Sequence, residues 1–150
     1  MRVDAPHPRS PDPAELGGWL RGEWEITRQI NGGAGRFEGR ARFTADPAAP
    51  GVTIWREQGR LRLGAHEGPA ARTLRIEPAP RGGWQVRFAD GRPFHPLELA
   101  DGRWDAIHLC GADVYRGHFE VQGHDRFTVT WRVTGPHKDD EIVSVYERAA

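Results

Sequence analysis

The sequence predicts an all-β protein, namely an antiparallel up-and-down β-barrel of about eight to ten strands preceded by one short helix. Three observations support this prediction. Apolar and polar residues alternate with a period of two along most of the chain. Nineteen glycines and twelve prolines divide the chain into short segments. Six tryptophans and six phenylalanines supply enough large side chains for a compact core.

The N-terminus is polar and rich in proline, and we expect residues 1–12 to form a mobile tail. A single domain over residues 13–150 then begins with the helix. Asp12 suits the N-cap and Pro13 suits the first helical position. The helix must be short because the pair Gly17-Gly18 follows almost at once.

The period-two pattern defines the strands that follow. In the first part of the chain it predicts strands over 22–30, 37–43, 52–58, 60–63, 71–77 and 84–88. Gly59 is interpreted as the break between the third and the fourth of these strands. The stretch Phe94–Leu99 is less regular. In the second part the pattern predicts strands over 104–109, 114–121, 127–133 and 141–148.

Short turns join these strands, which is typical of an antiparallel meander. Closure into a barrel would hide the edges of the sheet and leave room for one small ligand, with a sandwich as the alternative. In the strand over 104–109 both faces carry apolar groups. Trp104 and Ala106 share one face with His108, and Ile107 and Leu109 lie on the other. We therefore expect this strand to be covered on both sides, with His108 partly buried and neutral near pH 7.

Composition and charge narrow the range of functions. With 21 basic and 21 acidic residues the formal net charge is zero, which argues against nucleic acid as the main partner. There is no apolar run of the length of a membrane span or a signal peptide, so we expect a cytoplasmic protein with no membrane partner. Cys110 is the only cysteine, which excludes an intrachain disulfide and a cysteine-based zinc site. Lys138 is the only lysine.

Two features at the ends of the predicted sheet belong together. Gly22-x-Trp24 opens the first strand directly after the short helix, and Arg148 closes the last strand. This pair resembles the calycin superfamily, which includes the lipocalins and the fatty-acid-binding proteins. The resemblance implies that Arg148 stacks on Trp24 in a cation–π contact worth about 0.5–2 kcal/mol, tying the first strand to the last.

A longer series of motifs resembles an uncharacterised family of small bacterial and fungal proteins. It covers nearly the whole chain after residue 15. The motifs are Gly22-x-Trp24 with Arg28, Trp55-x-Glu57-x-Gly59, Asp90-Gly91-Arg92-x-Phe94-His95, His108-x-Cys110-x-x-Asp113-x-Tyr115, Trp131-x-Val133-x-Gly135-Pro136-x-Lys138-Asp139 and Tyr146-x-Arg148. Trp55 stands where that family usually has tyrosine, which keeps the ring and loses a hydroxyl. The resemblance implies a calycin-like fold and brings no activity with it.

Four polar residues are candidates for catalysis. His108 is either a base inside the cavity or a core histidine bonded to a backbone carbonyl. Asp113 and Tyr115 are two apart on one strand, so they share a face near a barrel mouth, where the carboxylate could orient the phenol. Asp113 could instead cap its own turn. His95 follows Phe94 at the exit of a loop and is expected at the rim, with a surface histidine as the alternative.

Further residues are candidates for ligand binding. Arg28 shares a face with apolar residues, so it needs either an internal carboxylate, for which Glu57 is suitable, or an anionic ligand. Lys138 could reach over the barrel mouth to an anion or form a local ion pair. Aromatic side chains would line the cavity together with these groups, and the residues expected to bind ligand are Arg28, Glu57, His95, His108, Tyr115, Trp131, Lys138 and Tyr146.

No cofactor and no metal is predicted. His108 and His118 could approach each other across a hairpin, but no metal-binding motif and no nucleotide-binding or hydrolase motif occurs. Three functions stay open: a protein that binds a partly apolar and possibly anionic small molecule inside the barrel, a cofactor-independent enzyme of the isomerase, cyclase or hydratase type using the same cavity, and a filled barrel that acts as an interaction module. The sequence also leaves open a homodimer.

Overall fold

The computed structural model describes residues 15–99 and 101–150. The helix α1 spans Leu16–Leu20, and a 3₁₀ turn at Asn31–Gly33 joins the first two strands. The strands are β1 Gly22–Ile30, β2 Gly35–Ala45, β3 Thr53–Leu63, β4 His66–Pro78, β5 Trp84–Phe88, β6 Pro93–Leu97, β7 Arg103–Cys110, β8 Asp113–Gly123, β9 Arg126–Thr134 and β10 Asp139–Arg148. The predicted tail and the predicted helix start at Asp12 and Pro13 lie outside the described residues.

All ten strands form one antiparallel sheet in the order β6-β5-β4-β3-β2-β1-β10-β9-β8-β7. The first strand pairs with both β2 and β10, which brings the two ends of the chain together. The sheet curls until β6 faces β7, where Nε1 of Trp104 donates a hydrogen bond to the carbonyl of Pro96 over 2.7 Å. The predicted up-and-down barrel of eight to ten strands with a short helix is confirmed, and the barrel is nearly closed.

The last gap, between β6 and β7, is bridged by side chains. Pro93 and Pro96 lie in β6 and have no N–H to donate to a neighbouring strand. The ring of Phe94 instead contacts the imidazole of His108, with 5.1 Å between the ring centres. A short edge strand with two prolines also makes a poor template for pairing with another chain.

The end of the barrel next to α1 is filled by apolar side chains. Trp24 is fully buried there and meets the ring of Phe127 edge-on at 5.0 Å. The Arg148 guanidinium lies 4.2 Å from the centre of the Trp24 ring, and its Nη2 donates to the carbonyl of Trp19 over 2.9 Å. The contact implied by the calycin resemblance is therefore present, and it joins β1 to β10.

Gly59 does not separate two strands, and β3 runs without a break from Thr53 to Leu63. Gly59 lies directly opposite Gly39 of β2. A Cβ atom on either glycine would collide with the backbone of the other strand. The two glycines thus allow a close approach of β2 and β3, which local sequence cannot distinguish from a turn.

Other local predictions were also wrong. The irregular stretch Phe94–Leu99 contains most of β6. The two glycines at 17 and 18 lie inside α1 instead of ending it. The strand β7 is covered on one side only, since Ile107 is 58% and Leu109 is 69% exposed on its outer face. In the described part of the chain, no helix has the length and apolar character that a bilayer crossing requires.

Candidate functional site

Glu57 lies at the centre of a polar network inside the barrel. Its position on β3 turns it inward, and it is only 1% exposed. Its Oε1 accepts hydrogen bonds from Nη2 of Arg28 over 3.0 Å and from Nε of Arg72 over 2.7 Å. Its Oε2 accepts from Nε1 of Trp55 over 3.0 Å and from the hydroxyl of Tyr146 through a short hydrogen bond. Both oxygens of the buried carboxylate are thus satisfied.

These partners determine the charge of the network. Burial alone would favour the neutral carboxyl, but the positive charges of Arg72 and Arg28 and the hydrogen bonds outweigh it. They lower the pKa of Glu57 to about 2. Burial, together with the charge of Glu57, raises the pKa of Tyr146 above its ordinary value. Near pH 7 the network therefore contains an ionised carboxylate and a neutral phenol.

Arg28 is held on β1 by several contacts. Its Nε donates to Oγ of Ser144 over 2.7 Å, and its Nη2 donates to the Tyr146 oxygen over 3.1 Å. Its guanidinium lies 5.1 Å from the centre of the Phe37 ring. Of the two alternatives for Arg28, the structure thus contains the internal pair with Glu57, and the hydrogen bonds that Arg28 donates to β10 orient the guanidinium.

Arg72 completes the network and was not predicted. It lies on β4 directly opposite Glu57, and its guanidinium is 5.8 Å from the centre of the Trp55 ring. Its side chain is 40% exposed because it lines a cavity. The β3–β4 register was the signal that could have identified it. The supposed break at Gly59 concealed that register.

A cavity of about 210 Å³ adjoins the network at the barrel end opposite α1. Polar groups of Arg28, Glu57 and Arg72 form one side of it. The other side is largely apolar and is formed by Ile30, Phe37, Leu61, Ala70 and Ala71. Two guanidinium groups face a single carboxylate, so the cavity has a net positive charge. Each guanidinium also has more N–H donors than its hydrogen bonds use.

The remaining predicted aromatic and histidine residues lie in a cluster on the β5–β9 side of the barrel. The Phe94 ring stacks against Phe88 at 4.6 Å and against Trp131 at 5.1 Å. His108 meets the ring of Tyr115 at 5.7 Å. Trp131 packs over Gly117, where a Cβ atom would collide with its indole. None of the predicted members of this cluster is among the residues that line the 210 Å³ cavity.

His95 is buried, and the expectation of a rim residue was wrong. Only 1% of it is exposed. Its Nδ1 lies 2.7 Å from the carbonyl oxygen of Pro96, which can only accept, so Nδ1 carries the proton. Burial lowers the pKa of His95 to about 4, and the charges of His108 and Arg72 act in the same direction. The imidazole is therefore neutral near pH 7.

Lys138 forms a local contact at the mouth of the barrel. Its Nζ lies 3.1 Å from Oδ2 of Asp113 and 3.4 Å from the hydroxyl of Tyr115. Hydrogen bonds to these two residues raise the pKa of Lys138. Of the two alternatives, the structure contains the local ion pair. It also brings Asp113 and Tyr115 together, as their spacing predicted.

His108 and His118 do not approach each other. His118 points outward, opposite Asp105, and its Nδ1 lies 2.6 Å from Oδ1 of that residue. His108 faces the aromatic cluster inside the barrel. Across residues 15–99 and 101–150 there is no group of three or more histidine, cysteine, aspartate or glutamate side chains placed to hold a metal ion.

Comparison with known families identifies the chain. The model of a family described as being of unknown function, DUF6314, matches residues 20–148. The chain belongs to this family. The match to DUF6314 includes all ten strands and every residue of the Glu57 network. No curated protein matches the chain significantly.

The solved structures that are similar to the chain include the following three. S-type phycobiliprotein lyase CPES from Guillardia theta is 10% identical with a TM-score of 0.63, covering 91% of this chain and 92% of the lyase. EF1p2_mFAP2b bound to DFHBI is 13% identical with a TM-score of 0.51, covering 92% of this chain and all of the other. A redesigned β-barrel, mFAP0, bound to DFHBI is 13% identical with a TM-score of 0.49, covering 87% and 99%. At these identities the likeness to the lyase and to EF1p2_mFAP2b shows a shared barrel fold.

Proposed function

We propose that this protein binds a small, partly apolar molecule with one acidic group in the cavity beside Glu57. The observation that carries the proposal is the pair of guanidinium groups, Arg28 and Arg72, that share one carboxylate at the polar side of that cavity. The acidic group of the ligand would lie against the two guanidiniums, and its apolar part would lie against Phe37 and Leu61.

The charge of the cavity supports an anionic ligand. A charge removed from water is costly unless it is paired, and Glu57 can neutralise only one of the two arginines. Guanidinium N–H donors bind carboxylates well, often through two parallel hydrogen bonds. Because Ser144, Tyr146 and Glu57 already hold Arg28, the cavity would need little rearrangement to bind such a group.

The size and walls of the cavity support a compact ligand. A volume of about 210 Å³ is below the ~300 Å³ at which pockets for drug-sized ligands begin. An apolar cavity of about 150 Å³ accepts benzene, so this cavity has room for one ring and a carboxylate. EF1p2_mFAP2b, a similar barrel, binds DFHBI, which supports a small-molecule ligand for this fold.

Titration with phenylacetate and with its neutral amide, phenylacetamide, tests the proposal. Trp55 bonds to Glu57 and lies under Arg72, so tryptophan fluorescence should report binding. We expect the acid to bind about tenfold or more tightly than the amide, because only the acid pairs with the guanidiniums. Arg72→Gln should remove that preference. Arg116→Gln, a change at an exposed position on β8, should preserve it.

Two results would contradict the proposal. Equal affinities for the acid and the amide would show that the guanidiniums do not select an anion. An unchanged preference in the Arg72→Gln variant would place the binding site elsewhere. If phenylacetate fails to bind, a set of aromatic and branched aliphatic monocarboxylates extends the test, and failure of the whole set rejects the proposal.

A further inference from the structure

The outer face of β2 and β3 concentrates arginine. Four positions on each strand point away from the barrel interior and form four directly opposed pairs. In pair order they are Arg36, Glu38, Arg40 and Arg42 on β2 and Arg62, Arg60, Gln58 and Arg56 on β3. Six of the eight are arginine, against a single glutamate. The chain as a whole has no net charge, so this positive face is a product of strand register and is invisible in the composition.

Two arginine pairs on this face oppose each other directly. Arg36 lies across from Arg62, and Arg42 lies across from Arg56. Like charges placed opposite each other on neighbouring strands destabilise a sheet. A surface that served solubility alone would intersperse the two signs. The arrangement therefore opposes stability, which is typical of a surface that binds something.

Nearby acids neutralise only part of the face. Glu38 pairs with Arg36, and Glu23 of β1 pairs with Arg40 and Arg42. No ion pair involves Arg60 or Arg62 anywhere in the described part of the chain. Glu38 lies opposite Arg60 and Glu67 lies opposite Arg62, but neither carboxylate is within ion-pair distance of its neighbour, so both guanidiniums can bind a partner.

A groove of about 460 Å³ lies beside Arg60 and Arg62. It is lined by Arg36, Glu38, Arg60, Leu61, Arg62 and Glu67. Because Arg60 and Arg62 point outward while Glu57 points inward, the groove lies on the opposite side of the sheet from the barrel cavity. Leu61 borders both, but they share no charged residue, so the groove is a second surface beside the one assigned to the small molecule.

We propose that this face binds an acidic segment of another protein in an extended conformation. Alternate residues of a strand are about 6.6 Å apart, and alternate side chains of an extended peptide have the same spacing. An acidic residue at every second position would therefore meet Arg60 and Arg62 together. The row from Arg56 to Arg62 is about 20 Å long, which suits a segment of several residues rather than a single small anion.

Chemistry on the face favours a peptide over other polyanions. Single-stranded nucleic acid is usually bound with aromatic rings that stack on the bases, and none of the eight outward positions is aromatic. Membrane binding is strengthened by apolar side chains buried beside the basic ones, and these eight positions include no apolar residue. Guanidiniums in a row bind carboxylates well, since each can form two parallel hydrogen bonds.

Fluorescence anisotropy with a labelled peptide, Glu-Gly-Glu-Gly-Glu-Gly-Glu, tests this proposal on the full chain. A peptide of the same composition with its glutamates in one block is the matched probe. We expect the alternating peptide to bind more tightly than the block peptide. Its affinity should fall as the sodium chloride concentration rises toward about 0.15 M. The double variant Arg60→Gln/Arg62→Gln should lose about tenfold or more in affinity. The double variant Arg103→Gln/Arg116→Gln removes the same charge from exposed positions on β7 and β8 and should bind normally.

Each other outcome overturns the proposal. An equal loss of peptide affinity in both double variants would show that the peptide responds only to the net charge of the protein. Tighter binding of a labelled thymidine oligonucleotide, lost in the Arg60/Arg62 variant, would make the face a nucleic-acid surface, and tighter binding of anionic vesicles would make it a lipid surface. Absence of peptide binding rejects it outright. The phenylacetate titration reads the barrel cavity independently, so a failure here leaves that proposal intact.

Discussion

Glu57 on β3 and Arg72 on β4 lie directly opposite each other, and Nε of Arg72 donates to Oε1 of Glu57 over 2.7 Å. The pair divides the barrel interior into two parts. Toward α1 the space is filled by apolar side chains, and toward the other end a cavity remains. Arg28 bonds to the same carboxylate, so the three groups together give this part of the interior a polar, positively charged side.

Removal of the Glu57 charge should destabilise the fold. In the Glu57→Gln variant Arg28 and Arg72 lose their shared carboxylate, and breaking a buried pair on one side costs about 3 kcal/mol. Part of that cost is relieved because the Arg72 side chain is 40% exposed and so is not fully desolvated. Urea unfolding measures the difference. The control is Glu23→Gln, where the lost pairs are on the surface, are screened by solvent and contribute little to stability. Equal effects of the two variants would show that the network does not stabilise the barrel.

His95 should make the protein sensitive to mild acid. Its pKa is about 4 in the folded chain against 6.5 for an ordinary histidine, so the unfolded chain binds more protons between these values. Stability contributed by the neutral imidazole is complete above pH 6.5 and is lost as the pH falls toward 4. The loss is about 3 kcal/mol. Urea unfolding at several pH values should show this fall in the free energy of unfolding in the wild type and a smaller fall in His95→Leu.

His118→Gln is the control for that experiment, since His118 lies on the outer face beside Asp105. The free energy of unfolding of this variant should change with pH between 6.5 and 4 as it does in the wild type.

A separate loss of stability is expected at lower pH, because the pKa of Glu57 is about 2 against an ordinary 4.5. There the stability present above pH 4.5 disappears as the pH falls through 2. For the higher range, a free energy of unfolding that falls as steeply in His95→Leu as in the wild type between pH 6.5 and 4 would mean that a group other than His95 titrates there.

The contact of Arg148 with Trp24 should stabilise barrel closure. Arg148→Met keeps the aliphatic stem but loses the cation over the indole and the bond to the carbonyl of Trp19. We expect a loss of about 1–3 kcal/mol in the free energy of unfolding. Arg126→Met removes an exposed arginine paired with Glu147 and should cost about 1 kcal/mol or less. Thermal unfolding followed by circular dichroism distinguishes the two, and indistinguishable curves would contradict a closing role.

Two glycine substitutions should have opposite effects. Gly59→Ala places a Cβ against the backbone of β2. We expect the free energy of unfolding to fall by about 1–3 kcal/mol, as for other forced overpacking. Gly18→Ala lies inside α1 with open space around its Cβ, and it should be neutral or stabilise by about 0.5–1 kcal/mol. The melting temperatures of the two variants give the measurement. A Gly59→Ala protein as stable as the wild type would refute the close approach of β2 and β3.

The chain order of strands was predictable because period-two alternation is a local property. It identified β1 and β9 well, and it placed Arg28 and Glu57 on inward faces where each needed an opposite charge. Gly59 was misinterpreted for the same reason. A glycine at a turn and a glycine at a close approach of two strands look alike in sequence, and only the strand opposite distinguishes them.

The sequence by itself determined a meandering sheet with aromatic and charged side chains turned inward, because backbone pleating assigns each residue to one face. Tertiary structure alone decided which inward side chains touch. Register placed Arg72 against Glu57, and barrel curvature stacked Phe94 on Trp131 and buried His95. Whether an inward residue fills the interior or lines a cavity depends on the volumes of side chains from distant strands. That information exists only once the sheet has closed.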